Sequence, residues 1–209
     1  MDIAKYIDYT LLKATATPAD IEKLCKEALE YGFYSVCVNS GYVPLAAEQL
    51  KGSKVKVCTV VGFPLGAMST QAKLYETSVA LTQGAQEIDM VLNVGLFLSG
   101  NVAKVLEEIA LLKQETGDRV LKVIIETCYL NDEQKRLASQ VCVDAGADFV
   151  KTSTGFGTGG ATLADVQLIK EVVGDRAKIK ASGGIRDKQT ALQYISLGVD
   201  RIGASAILV

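Results

Sequence analysis

Histidine and tryptophan are absent from this 209-residue chain, and proline occurs only three times. Without imidazole, the Ser–His and Cys–His nucleophile pairs are excluded, and proton transfer must use Lys, Asp, Glu, Tyr or water. The five cysteines (Cys25, Cys37, Cys58, Cys128 and Cys142) are isolated, odd in number and form no CxxC motif. With histidine missing too, the chain is expected to hold no metal and no disulfide framework, and to work in a reducing cytoplasm. No apolar run approaches the length of a membrane span, and Met1 leads into the polar "MDIAKYIDYT" rather than a signal peptide. The formal net charge is −2 and the Lys and Arg residues are dispersed, which argues against nucleic acid or a membrane as partner. What remains, 49% hydrophobic and 22% charged, is the profile of a soluble globular chain long enough for one large domain.

Two textures alternate along the chain. Short runs rich in Val, Ile and Phe predict strands at 33–39, 56–63, 87–94, 121–127, 148–153, 177–183 and 200–205, with a weaker candidate at 5–10. Longer segments with helical spacing lie at 18–31, 69–83, 101–116, 131–145, 162–173 and 187–197, opened by Thr17, Ser69, Asn131, Thr162 and Asp187 as caps. Glycine followed at once by a strand recurs in "YGFYSV", "QGAQEIDM", "AGADFVK" and "LGVDRIG", marking helix exits in the left-handed conformation. Eight β/α units in about two hundred residues predict a single (β/α)8 barrel spanning residues 1–209. An open doubly wound sheet is the alternative, but no glycine-rich dinucleotide loop follows an early strand.

In such a barrel the strand exits carry the chemistry. The polar residues there are Asp8, Thr10, Cys37, Asp89, Asn93, Glu126, Lys151, Lys180 and Ser205. Lys151 and Lys180 fall on adjacent predicted strands, roughly 4.8 Å apart, where two ammonium groups are tolerated only if one is neutral or both are paired. A lysine attacks a carbonyl only as the free amine, and at the unperturbed pKa only about four in ten thousand are neutral at pH 7. Desolvation and a neighbouring cation both raise that fraction. The plainer reading is that both lysines snorkel to water. Lys122 and Lys178 lie further from the exits and are expected to be solvated. Asp89 is either a structural partner for a lysine or a proton shuttle, and Asp8 has the same two readings. Glycine-bearing exits at "STGFGTGG" (153–160), "SGGIR" (182–186) and "RIGAS" (201–205) suit an anion held by backbone N–H groups.

The motifs "VKTSTGF", "KASGGIR", "EIDMVLN", "CTVVGFPLG" and "YIDYTLLK" closely resemble those of the deoxyribose-phosphate aldolases, and the resemblance runs along nearly the whole chain. It implies reversible cleavage of 2-deoxy-D-ribose 5-phosphate to acetaldehyde and D-glyceraldehyde 3-phosphate without metal or organic cofactor, with small phosphorylated sugars and aldehydes as partners. By this resemblance Lys151 is the Schiff-base lysine, Lys180 tunes it, and Asp89 is the acid/base group working with Lys180 through a water. Asp8, Thr10 and Cys37 match substrate-side positions, and Gly155, Gly183, Gly184, Gly203 and Ser205 match the phosphate cradle. Barrels of this kind often form homodimers. The chain departs from the family pattern at Tyr9, where a histidine is common, at Ala206, where a second serine is common, and at Val209, where some members continue into a tail. Two rival readings stand beside the aldolase: a phosphosugar isomerase with Asp89 or Glu126 as base, and a non-catalytic phosphate-binding barrel.

Overall fold

A computed structural model describes residues 3–206; the termini noted above, Met1 and Val209, lie outside the described residues. Eight parallel strands close into a barrel in sequence order. They are β1 (Ile7–Leu11), β2 (Ser35–Val38), β3 (Lys56–Val61), β4 (Glu87–Val91), β5 (Val120–Ile124), β6 (Phe149–Lys151), β7 (Lys178–Ser182) and β8 (Arg201–Ala204). Around them lie α1 (Pro18–Tyr31), α2 (Val43–Gln49), α3 (Thr70–Thr82), α4 (Val94–Leu98), α5 (Val102–Thr116), α6 (Asp132–Asp144), α7 (Leu163–Val173) and α8 (Lys188–Ser196). This is the (β/α)8 barrel that the alternating pattern predicts.

Side-chain capping fixes where the helices start. Thr17, Ser69, Asn131, Thr162 and Asp187 each accept a hydrogen bond from the backbone N–H three residues on, satisfying a donor that has no partner within the helix. Two helices escape the sequence pattern. The seven-residue α2 is too short to show a helical period and has a proline in its first turn. The five-residue α4 interrupts what reads as a continuous apolar strand through Val94. The chain leaves β4 at Val91, and Asn93 caps the new helix by accepting from the Leu96 N–H at 3.1 Å. Asn93 is thus a cap here, not only a polar residue at a strand exit.

The main apolar core lies between barrel and helices. Tyr9, Val36, Val57, Ile88, Leu121, Val150, Ile179 and Ile202 point outward from their strands into it. Inside the barrel the apolar contribution shrinks to a small cluster of Leu12, Cys37, Cys58 and Val60 capped by Phe63. Most barrels fill their interior with branched aliphatics; here seven of the buried positions facing the interior, Asp8, Glu87, Asp89, Lys122, Lys151, Lys180 and Arg201, are charged. Tyr9, the departure from the family pattern, belongs to the outer layer. It packs on Phe33 with ring centroids 5.2 Å apart and donates its hydroxyl to Glu27 at 2.8 Å.

One charged pair is buried in the outer layer as well. Lys73 of α3 reaches Glu108 of α5 at 2.6 Å and the Val91 carbonyl at 2.8 Å, while Thr70 donates to the second Glu108 oxygen at 2.9 Å. Burial pushes the Lys73 ammonium downward, against the pull of Glu108. Removing one partner of such a pair strands a buried charge, at about 3–5 kcal/mol, whereas an apolar replacement of both is far milder. Lys73→Met should therefore lower the unfolding free energy by roughly that amount, and Lys73→Met/Glu108→Leu should recover most of it in denaturant titrations.

Candidate active site

The strand register places Lys151 and Lys180 directly beside each other, and Lys180 beside Arg201. On the two strands that follow β6 in the other direction, β5 and β4, Lys122 and Asp89 are register partners. Because side chains alternate along each strand, these residues all project into the barrel, with Asp8, Glu87 and Cys58. The Oδ2 atom of Asp89 accepts from Lys151 and from Lys180, each at 2.8 Å, and its Oδ1 accepts from Lys122 at 2.9 Å and Cys58 at 3.1 Å. Lys180 also meets Asp8 at 2.5 Å. Lys122 meets Glu87 at 2.5 Å and Asp8 at 3.6 Å. Arg201 donates to Asp8 at 2.7 Å and to Glu87 at 3.1 Å. Four cationic side chains and three carboxylates thus form one connected network, all of it buried.

Isolated charges at these depths would be expelled or neutralised; pairing reverses this. Burial alone would raise the Asp89 carboxyl, but Lys122, Lys151 and Lys180 outweigh it and hold the group well below the usual carboxylate range. Asp8 is lowered in the same way, burial being outweighed by Lys180, Lys122 and Arg201. Burial disfavours the charges of Lys180 and Lys122, yet Asp8 and Asp89 hold Lys180 above the ordinary lysine range, and Asp89, Asp8 and Glu87 do the same for Lys122. Cys37 and Cys58 bond to each other, which lowers the Cys37 thiol, while burial and the same bond raise Cys58.

Above the network, at the carboxyl ends of the strands, lies a cavity of about 290 Å³. Lys151 is the member of the network that borders it. Thr10, Gly155, Gly183, Gly184, Gly203 and Ser205 line it as well, joined by two cations at its rim, Lys13 and Arg186. The glycines are required by the backbone. Gly183 and Gly184 have φ of +87° and +82°, a region that other residues enter at a cost. The loop after β6 presses so close to the loop after β7 that a Cβ on Gly160 would stand 2.3 Å from the Gly183 carbonyl oxygen. The Ala161 N–H donates to the Gly183 carbonyl at 3.1 Å.

Of the positions singled out from sequence, Thr10, Lys151 and the cradle residues meet at the cavity. Lys180, Asp89 and Asp8 stand behind Lys151 in the network. Cys37 is fully buried in the small inner apolar cluster and does not line the cavity. Ala206 packs against the outer core instead of the cavity wall. Lys178 is exposed, as expected. Lys122 is not: it is completely buried and bound to three carboxylates. Distance from the strand exit does not bring it to water, because the far end of the barrel is closed. There Arg201 stacks on Tyr34, its Cζ 3.1 Å from the ring centroid, and both Arg201 and Lys122 approach the Phe149 ring. Glu87 and Arg201 are the other members that reading by strand exit misses. The sequence signal for them is charge at alternate positions of apolar strands: Glu87 two before Asp89, and Arg201 two before Gly203.

Among the described residues, the Cys37 and Cys58 thiols and an Asp89 oxygen lie within 4.8 Å of one another. That carboxylate already accepts from three ammonium groups, whose charge repels a metal ion, so the donor set does not fit one. Also among the described residues, no helix is long and apolar enough to cross a membrane.

A closed parallel barrel whose cavity exposes a single buried amine among glycine-rich loops is a (β/α)8 enzyme built for carbonyl chemistry. Comparison with known proteins narrows this. The family model described as DeoC/LacD family aldolase matches residues 3–207, and this chain belongs to that family. A deoxyribose-phosphate aldolase of Carboxydothermus hydrogenoformans is 57% identical over 208 residues, covering 98% of this chain and 91% of the relative. Among solved structures, "QR15, an Aldolase" superposes with a TM-score of 0.95 at 47% identity, covering 98% of this chain and 92% of that one. A deoxyribose phosphate aldolase from Aeropyrum pernix, described as a tetramer, superposes with a TM-score of 0.88 at 35% identity, covering 97% of this chain and 86% of that one. Aldolases are lyases that make and break carbon–carbon bonds.

The network leaves a signature in stability against pH. Asp8 and Asp89 titrate lower in the folded chain than when unfolded. Their contribution is therefore complete above the unfolded value of about 4 and is lost as pH falls through the lower folded values. Lys122 and Lys180 titrate higher when folded; their contribution is complete below about 10.4 and is lost as pH rises through the folded values. Unfolding free energies from denaturant titrations should accordingly fall on both flanks, and Asp8→Asn should flatten the acid flank.

Proposed function

We propose that this chain is a class I aldolase that reversibly cleaves 2-deoxy-D-ribose 5-phosphate to acetaldehyde and D-glyceraldehyde 3-phosphate through an imine on Lys151. The observation that carries this reading is the position of that one amine: buried at the end of β6, bonded to Asp89, and bordering the cavity. An attacking lysine must first give up its proton. Lys151 has a single carboxylate partner, against two for Lys180 and three for Lys122. It is therefore the network lysine whose proton is held by the fewest carboxylates.

In this mechanism the Lys151 amine adds to the C1 aldehyde, and loss of water gives a protonated imine. Removal of the C3 hydroxyl proton then breaks the C2–C3 bond, and its electrons move into the imine to give an enamine. D-Glyceraldehyde 3-phosphate departs, a proton is delivered to C2, and water releases acetaldehyde and the free amine. Asp89 and Lys180 adjoin the reacting nitrogen and hold and move protons there, by way of a water. Gly155, Gly183, Gly184, Gly203 and Ser205 take the phosphate, with Arg186 and Lys13 adding charge at the rim. Asp8 fixes Lys180, Thr10 bounds the sugar side, and Cys37 adjoins the network through Cys58. The reading places the reaction in the cytoplasm, where the five free thiols persist. The isomerase alternative needs a free base at the cavity, but both carboxylate oxygens of Glu126 are taken by Thr154 and both of Asp89 by lysines and Cys58, and neither carboxylate lines the cavity.

Two outcomes check this. Borohydride reduction in the presence of substrate should attach a single adduct to Lys151, read by peptide mass. A label on Lys180 would reverse the roles, and no label at all would remove the imine. Deoxyribose lacking the phosphate should show a kcat/KM lower by at least about a hundredfold, the equivalent of roughly two charge-assisted hydrogen bonds; equal values for the two sugars would remove the phosphate cradle.

A further inference from the structure

Glu126 follows β5 and is the one non-glycine residue among those described with positive φ, +51°. Backbone in this region persists only where its surroundings hold it there, and here they do so on both sides. The Ile125 N–H donates to the Lys151 carbonyl and the Thr127 N–H to the Thr152 carbonyl, each at 3.0 Å. Between these two bonds the Glu126 side chain turns inward and is 3% exposed. Its Oε1 accepts the Thr154 N–H at 3.1 Å, its Oε2 accepts the Thr154 hydroxyl in a short hydrogen bond, and the Thr154 oxygen in turn accepts the Phe156 N–H at 3.0 Å. The loop fits tightly against this carboxylate, since a Cβ on Gly157 would lie 3.3 Å from Glu126 Cδ.

We infer that Glu126 is a positioning residue for the anion-binding wall of the cavity, acting through Thr154 and not on the reacting carbon. The inference rests on the proposed aldolase reading. Thr154, Gly155 and Phe156 all line the cavity, and a Cβ on Gly155 would sit 3.9 Å from the Gly183 Cα. The segment gripped by Glu126 therefore forms the side of the cavity that faces the β7 loop. Lys151 is positioned separately, by its β6 pairing and by Asp89. Loss of the Glu126 grip should loosen the wall and leave the amine in place. Glutamine can still accept the Thr154 N–H and can donate an amide N–H to the Thr154 oxygen, so Glu126→Gln keeps the grip in altered form, whereas Glu126→Ala abolishes it.

The test compares wild type, Glu126→Ala, Glu126→Gln and Thr154→Val. With 2-deoxyribose 5-phosphate, Glu126→Ala and Thr154→Val should raise KM by roughly tenfold or more, the equivalent of one charge-assisted hydrogen bond. Under the same conditions kcat should stay within about threefold. Glu126→Gln should lie close to wild type, and unphosphorylated deoxyribose should respond little to any of the changes. A fall in kcat at constant KM, equal losses on both sugars, or a glutamine variant as impaired as the alanine one would overturn the inference. If Glu126→Ala does not fold, Thr154→Val carries the same expectations, since valine keeps the shape and removes only the hydroxyl. Calorimetric titration with inorganic phosphate needs no turnover and so separates the two readings. Weaker phosphate binding in Glu126→Ala and Thr154→Val supports the positioning role even if the wild type does not cleave the sugar phosphate, and unchanged binding refutes it even if it does.

Discussion

A single carboxylate holds the interior of this barrel together. Asp89 faces three ammonium groups and a thiol at once, and each of those groups except the Lys151 amine has a further partner within the network. Without the aspartate, Lys122 and Lys180 would lean on Asp8 and Glu87 alone, and Lys151 would lose its one carboxylate partner. Charges this deep are stable only as a complete set, because the desolvation of each is offset by its neighbours and not by water. The interior therefore behaves as one unit. Its members cannot be exchanged for aliphatic residues singly, and their arrangement fixes the height and direction of the one buried amine that borders the cavity.

That arrangement is possible because the fold separates its two cores. The layer between barrel and helices is apolar and continuous and supplies the hydrophobic burial that folding needs. The interior is thereby released from that duty and can carry groups that would be costly anywhere else. The charged pair in the outer layer, Lys73 with Glu108, is closed on itself by Thr70 and a carbonyl. It links α3 to α5 where an aliphatic contact could do the same.

Much of this was legible in the amino-acid order. The alternating textures, the capping residues and the glycine-to-strand junctions gave the barrel, because each reflects a local rule that the tertiary structure did not override. Lys151 and Lys180 stood out because lysine is rare in the interior of a strand, and Asp89 because it sits between Ile88 and Met90. Lys122 departs from the sequence expectation for a physical reason. Periodicity gives the face a side chain takes, but not whether the end of the barrel it points toward is open. The closing plug is made by Arg201, Tyr34 and Phe149, from three strands or strand edges far apart in sequence, and only the closed register brings them together. Asn93 and the short α4 were hidden by an apolar run that suits strand and helix equally. Glu126 was visible as a polar strand exit, but its grip on Thr154 depends on a backbone turn that no propensity reveals.

The stacked guanidinium at the far end makes the barrel a cup and not a tube. Whatever reaches the amine enters through the mouth framed by the glycine loops and leaves by the same way. On the proposed reading, substrate and both products then share one opening, and their exchange is set by traffic through a single doorway as well as by the chemistry at its floor.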